Sequence, residues 1–321
     1  MRVVELAGGV GGAKLAEGLA AHLGADLTVV VNTGDDLEQH GLSIWPDHDT
    51  VAYTLAGLDD EARGWGLRNE TWTVMESLWA LGDASWFRLG DRDLATHIWR
   101  TDRLRTGARP TVVARELAAA LRIAPTILPM TDQPVRTEVL TDDGWLEFQE
   151  YFVHRHQEPE VREVRFRGIE DARPTPEVLA AIEAADVIVI APSNPVVSIG
   201  PILALPGLTD AIRARRAGRR ADDGLAPSVV AVSGIIGGKA LKGPADRMLA
   251  SLGEVSSAVG VAARYRDLIS HFVMDDVDAA LLPELEALGV ETLVTDTIMR
   301  DDAGRARLAG EVLRFAETVS G

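Results

Sequence analysis

Apolar positions along this chain fall into short runs that alternate with helical spacings. The first run lies in R-V-V-E-L-A-G-G-V-G-G, where Val3, Val4, Leu6 and Ala7 read as a strand buried in a parallel sheet. Gly8, Gly9, Gly11 and Gly12 follow, and Leu15, Leu19 and Leu23 then recur on one helical face. D-L-T-V-V-V (residues 26–31) reads as a second buried strand that ends at once in N-T-G-D-D (32–36). Over residues 50–125 strand-like runs vanish and helical patterns separated by glycines take over. Strand patterns return at Ile127, with a hairpin V-R-T-E-V-L-T-D-D-G-W-L-E-F marked by its Asp-Asp-Gly turn. Y-F-V-H-R-H-Q then reads as a strand with His154 and His156 on one side. A helix opened by Pro174 and Pro176 leads to the strand D-V-I-V-I-A-P-S-N-P, which ends in Ser193 and Asn194 between prolines.

Residues 196–203 and G-L-T-D-A-I-R-A-R-R read as helix, and residues 217–227 as an exposed loop. The strand S-V-V-A-V-S runs into G-I-I-G-G-K-A-L-K-G-P-A-D. H-F-V-M-D and E-T-L-V-T-D are further strands, with helices over 283–288 and 303–319. The pattern predicts an α/β fold: a Rossmann-like open, mostly parallel sheet in one domain over 1–321. The core would span 1–49 and 126–321, with a helical, Trp-rich insertion over 50–125.

Composition narrows the function. Apolar content of 46% and charged content of 25% are ordinary for a globular protein, and no apolar run approaches the ~20 residues that cross a bilayer. The chain enters its first strand at once, leaving no room for a signal peptide, so a cytoplasmic location is expected. A net charge of −17 argues against a nucleic-acid partner. Absence of cysteine excludes disulfides, thiolate nucleophiles and Cys-type zinc sites. An acidic protein that binds a phosphorylated anion needs local basic groups or a bridging divalent cation.

Several stretches could supply them. A strand that runs through glycines into a helix aims backbone N–H groups and the positive end of the helix dipole at whatever lies above the turn, which favours a phosphate. Without a Gly-Lys-Ser/Thr ending this is no P-loop, and a tight turn with no ligand is the alternative. Asp35 and Asp36 close the second strand, and Asp47 and Asp49 follow in P-D-H-D-T. They read either as solvated acids and a helix N-cap, with Asp49 and Thr50 just before a helical stretch, or as contacts to Mg²⁺ or substrate. Gly237, Gly238, Lys239, Lys242 and Gly243 form a second glycine-rich loop holding two of the chain's three lysines, a composition that fits an anion site. Six of seven tryptophans fall between Trp45 and Trp99, with Trp72 and Trp79 sharing a helical face with Met75 and Leu78, as core or as a seat for a flat ring. In W-F-R-L-G-D-R-D-L-A-T-H-I-W-R (86–100), Arg88, Asp91, Arg92 and Asp93 read as surface ion pairs or as an anion clamp.

N-T-G-D-D, D-H-D-T-V, L-G-D-R-D-L-A-T-H, L-P-M-T-D, A-P-S-N-P-V-V-S-I-G-P-I-L and I-I-G-G-K-A-L-K-G-P-A-D, in that order, closely resemble the 2-phospho-L-lactate transferase family of coenzyme F-420 biosynthesis, over essentially the whole chain. The resemblance implies a Mg²⁺-dependent transfer. A guanylylated three-carbon acid, lactyl-diphosphoguanosine or its enolpyruvyl equivalent, donates its phospho-acid unit to the ribityl hydroxyl of the deazaflavin FO, and GMP leaves. It implies FO contacts from Asp49 and Arg88, with Asp49 orienting or deprotonating the hydroxyl, and a homodimer. Asp35 and Asp36 are the expected metal ligands. Gly8, Gly9, Gly11, Gly12, Ser193, Asn194, Gly237, Gly238 and Lys239 are expected on the nucleotide side by position. The opening loop carries Val10 where relatives of that family often carry threonine, and the Arg-rich stretch 213–223 is long. A competing reading is a nucleotide-sugar-binding regulator of the YvcK-like type, which shares the opening glycine loop. A nicotinamide-dependent oxidoreductase fits less well, because Asn32 stands where a ribose-binding acid is expected.

Overall fold

The computed structural model describes residues 1–83, 86–218 and 226–317. Its central sheet has seven strands: β1 (Val3–Ala7), β2 (Leu27–Val31), β3 (Thr126–Pro129), β4 (Val187–Ile190), β5 (Ser228–Val232), β6 (His271–Asp275) and β7 (Glu291–Thr295). They lie in the order β3-β2-β1-β4-β5-β6-β7, every pair parallel. The chain steps outward from β1 to β3 and then crosses back to lay β4 on the other side of β1. The reversal opens a crevice above the carboxyl ends of β1 and β4, where open α/β sheets bind their ligands.

Continuous valine, isoleucine and leucine runs make the strands, because both sheet faces are covered. One face packs Val3, Ala7, Val29 and Val31 against α1 (Gly9–Leu23) and the C-terminal helix Asp302–Ala316. The other packs Val4, Leu6, Ile188 and Ile190 under helices Pro176–Ala184, Ile199–Ala204 and Leu208–Ala217, and beside an antiparallel sheet of Arg136–Thr141, Gly144–Glu147 and Glu163–Arg167. Each such valine, leucine or isoleucine side chain, fully buried, contributes roughly 1.5–3 kcal/mol.

Four helices occupy the segment between β2 and β3: α2 (Pro46–Leu55), α3 (Thr73–Ala80), α4 (Asp91–Arg105) and α5 (Pro110–Ala120). α2 packs on α1 and sinks Val51 and Ala52 into the sheet core, and α5 packs on β3. Farther out, Leu37, Ile44, Met75, Leu89 and Leu94 make a separate small core. Met75 is thus core, whereas Trp79 is exposed at its end of the expected stripe.

Three local readings change. Asp49 and Thr50 do not cap α2; Pro46, whose fixed φ suits a first helical turn, starts the helix earlier, with Trp45 at the N-cap. His154 and His156 are not on a strand. Residues Glu150–His154 form a π-helical turn, and His156 and Gln157 take left-handed φ values of 51° and 60°. The charged stretch at α4 is a pair of reciprocal caps: the Asp91 carboxylate accepts the N–H groups of Thr73 and Val74 at the start of α3, and Glu70 accepts those of Arg92 and Asp93 at the start of α4. Residues 219–225 of the expected loop and 318–319 of the expected last helix lie outside the described residues. Among the described residues, no helix is long and apolar enough to cross a membrane.

Candidate functional site

The crevice is stitched shut at its base. Gly8 at the end of β1 donates its N–H to Ser193 Oγ at 3.2 Å, and the Ser193 hydroxyl donates to the Gly8 carbonyl at 2.7 Å. Asn194 Oδ1 accepts the N–H groups of Val196 and Val197 at 2.9 and 3.4 Å, the self-turn that asparagine favours. Gly11 and Gly12 press against this loop: a Cβ on Gly11 would come within 2.5 Å of the Pro192 carbonyl. Asp47 sits at the N-terminus of α1, its Oδ1 accepting the Gly9 N–H at 2.9 Å and its Oδ2 the Asn32 amide at 2.9 Å. Two of the first-turn N–H groups are therefore used within the protein. The second glycine loop is a two-residue hairpin between Ile235–Ile236 and Lys239–Ala240, with Gly237 and Gly238 at φ 57° and 76°, the signature of a type I′ turn. The Gly237 N–H is held by Asp278. Lys239 stands exposed on this hairpin.

Four acids gather beside the crevice: Asp35, Asp47 and Asp49 are buried, and Asp36 is half-buried with its Oδ1 shut away from water. Burial pushes Asp35 well above the usual carboxylate range, reinforced by the like charge of Asp47. Burial also drives Asp36 well up, only partly countered by Arg136 and Arg100. Asp47 is pushed up to about 6 by burial, against the pull of its Asn32 and Gly9 hydrogen bonds. One oxygen of Asp35 and one of Asp36, Oδ1 in each, are buried without a hydrogen-bond partner.

Asp49 behaves in the opposite way. Burial pushes it up too, but the Arg100 guanidinium, helped by His48 and His97, outweighs this and holds it well below the usual range. Arg100 Nη2 bonds Asp49 Oδ1, while Nη1 donates to the Ser43 carbonyl at 3.3 Å and lies 3.3 Å from His97 Nδ1. The guanidinium carbon lies 4.4 Å from the Trp45 ring centroid, and the whole side chain is buried. His97 Nε2 sits 3.3 Å from Asp93 Oδ2, and Asp93 Oδ1 accepts the Tyr53 hydroxyl at 2.6 Å. Asp49 Oδ2 is buried without a hydrogen-bond partner.

Sequence reasoning missed Arg100, His97 and the role of Asp93 as their anchor. A signal existed: Asp93, His97 and Arg100 fall at i, i+4 and i+7, one face of a helix. It also missed Lys14. Lys14 and Lys242 line one small pocket with Val10, Thr50, Tyr53 and Trp65, although 228 residues separate them. Burial lowers the Lys14 pKa, and the neighbouring Arg305 and Lys242 lower it further. Arg88 lies in the aromatic lobe, its guanidinium 4.4 Å from the Trp72 centroid and 5.5 Å from that of Trp79. Asp49, Asp93 and His97 each bring one ligand-type atom within 4.8 Å of one another, but the charge at that point is already supplied by Arg100.

Against known proteins, the family model described as 2-phospho-L-lactate transferase CofD matches residues 3–307. A phosphoenolpyruvate transferase of Streptomyces griseus is 44% identical, covering 99% of this chain and 99% of its own length. A 2-phospho-L-lactate transferase of Methanosarcina mazei is 39% identical over 97% of this chain and 99% of its own. Among solved structures, a Bacillus halodurans protein described as a member of the UPF0052 family matches with a TM-score of 0.60 at 16% identity, covering 97% of this chain and 98% of that one, which shows a shared fold.

Proposed function

Because this chain belongs to the CofD family of 2-phospho-L-lactate transferases, we propose that its crevice passes a phospho-acid unit from a guanylylated donor to the terminal ribityl hydroxyl of the deazaflavin FO. The chain is a transferase of coenzyme F-420 biosynthesis, and the regulator reading is not favoured. In the proposed reaction the ribityl oxygen forms a bond to the phosphorus that carries the three-carbon acid. The bond from that phosphorus to the bridging oxygen breaks, GMP leaves with the electron pair, and the hydroxyl proton ends in solvent. Relatives named for phosphoenolpyruvate include the one 44% identical, against 39% for the M. mazei relative named for phospholactate, which supports enolpyruvate as the acid.

The observation that carries this reading is Asp49, with one oxygen fixed by Arg100 and the other left as a free acceptor. A carboxylate held so far below its usual range is a weak base. Its role is to orient the hydroxyl, not to remove the proton, in keeping with phosphoryl transfer that depends on positioning and charge neutralisation. Arg88, stacked on Trp72, would meet the flat ring of FO. Lys14 and Lys242 would face donor phosphates above the start of α1, and Ser193 and Asn194 would keep the crevice in shape.

Asp35 and Asp36 fit a divalent cation, since each has a buried carboxylate oxygen with no partner, and Mg²⁺ takes one or two carboxylates plus substrate phosphates and water. Bound there, Mg²⁺ would supply charge neutralisation at the diphosphate. FO and the guanylylated acid are the proposed partners, and a homodimer, checked by light scattering, the proposed assembly. The test is the product mass formed from FO and Mg²⁺ when guanylylated lactate and enolpyruvate donors compete. An enolpyruvyl adduct is expected. Folded protein that leaves FO unchanged with both donors would overturn the reading.

A further inference from the structure

Asp49 is faced by groups from three elements: His48 and Tyr53 of α2, Asp93, His97 and Arg100 of α4, and Asp36 after β2. The arrangement is an expensive way to gain stability. A buried ion pair is often no better than apolar side chains of the same volume, and here Arg100 Nε and Asp49 Oδ2 lack hydrogen-bond partners, while His97 Nε2 has only its 3.3 Å ion-pair contact with Asp93. An unfilled acceptor beside a fixed guanidinium is instead what a ligand hydroxyl would complete.

We propose that Arg100 and His97 are positioning residues for the transfer: Arg100 occupies Asp49 Oδ1, His97 steered by Asp93 flanks the other side, and Oδ2 is thereby left as the acceptor for the attacking hydroxyl. The inference rests on the reading that Asp49 holds that hydroxyl. Three features give it geometry. Arg100 is locked from outside its ion pair, by the Ser43 carbonyl and the Trp45 ring, so its position does not depend on Asp49 alone. His97 Nδ1 stands 3.7 Å from Asp49 Oδ2, close enough to limit its rotation. Asp93 is itself fixed by Tyr53, which also lines the pocket shared with Lys14 and Lys242, so the anchor is continuous with the place proposed for donor phosphates.

The test is kcat and KM for FO between pH 5 and 9 in Arg100→Met, Arg100→Lys, His97→Asn and Asp49→Asn, each checked for folding by its melting transition. With Arg100 in place Asp49 stays ionised, so the wild-type acid side should be flat from this group. Arg100→Met should gain an acid limb, losing about 10-fold in kcat/KM per pH unit below a raised Asp49 pKa. Arg100→Lys keeps the charge without the planar fork; it should restore the flat acid side while kcat stays at least about 10-fold down. His97→Asn should lower kcat with little change in KM. A folded Arg100→Met whose pH profile superimposes on wild type overturns the inference. If Arg100→Met does not fold, an unchanged kcat in Arg100→Lys overturns it. Retention of full activity by Asp49→Asn would instead sink the reading of Asp49 on which it rests.

Discussion

Asp36 and Asp49 lie within electrostatic reach of each other, each has a carboxylate oxygen shut away from water, and they are driven in opposite directions. Burial disfavours the charged form of both. Asp49 has a wholly buried arginine bonded to one oxygen, and its charge is kept. Asp36, like Asp35 beside it, has an orphaned oxygen and no arginine bonded to it, and its charge is suppressed. The lesson is that burial alone does not assign a role to an acid; the partner does. In the proposed reaction one group carries its own cation and would hold the hydroxyl, while the other would regain its charge when a cation arrives with the substrate.

That contrast can be broken most forcefully at Arg100. Arg100→Met should cost about 3–5 kcal/mol of stability in denaturant unfolding, because it strands a buried carboxylate. Asp49→Asn should cost a similar amount by stranding the guanidinium. The double variant should lose clearly less than the sum, and strict additivity would show that the two are not coupled. Next comes Asp36→Asn, which should weaken Mg²⁺ binding at least about 10-fold in calorimetry, the lower range for disturbing a metal site. In the metal-free protein the same change should raise the melting temperature at pH 8, because it removes a carboxyl that burial disfavours as an anion.

A smaller effect should appear in the pH dependence of the unmodified protein. The folded-state pKa of Asp47 is raised to about 6, so its contribution to stability is present below the unfolded value and lost as pH climbs through that point. Melting temperature without metal should therefore fall by a few degrees across this window, and Mg²⁺ should recover more at pH 8 than at pH 5. The smallest change concerns Arg88, whose contact with Trp72 is a cation–π pair worth about 0.5–1 kcal/mol at an exposed site. Arg88→Ala should raise KM for FO at least about 2–5-fold and leave kcat nearly intact.

The strands were legible because their signal is local: a valine-rich run closed by glycine, asparagine or proline needs no knowledge of its neighbours. For the same reason Gly8, Asp36 and Ser193 could be placed near one edge from their strand ends. That β1 and β4 lie side by side came only from the structure, because strand order is not a local property. Arg100 was not legible. Its partner lies 51 residues away, and an arginine on a polar helix looks the same in sequence whether it meets water or Asp49. Asp47 reads in sequence as a solvated acid, a helix cap or a contact to Mg²⁺ or substrate; that it accepts the Gly9 N–H at the α1 terminus, 38 residues back along the chain, is visible only in the structure. His154 and His156 alternate as on a strand, but left-handed backbone at His156 and Gln157 turns the chain there, and tertiary context outweighed the local pattern.

The most direct measurement is a calorimetric titration of Mg²⁺ into the wild-type protein, Asp36→Asn and Asp49→Asn, each folded and at pH 8. Binding that is weakened in Asp36→Asn and retained in Asp49→Asn is the predicted result. Binding that survives loss of Asp36 but disappears with Asp49 would place the cation in the Arg100 corner and contradict the account.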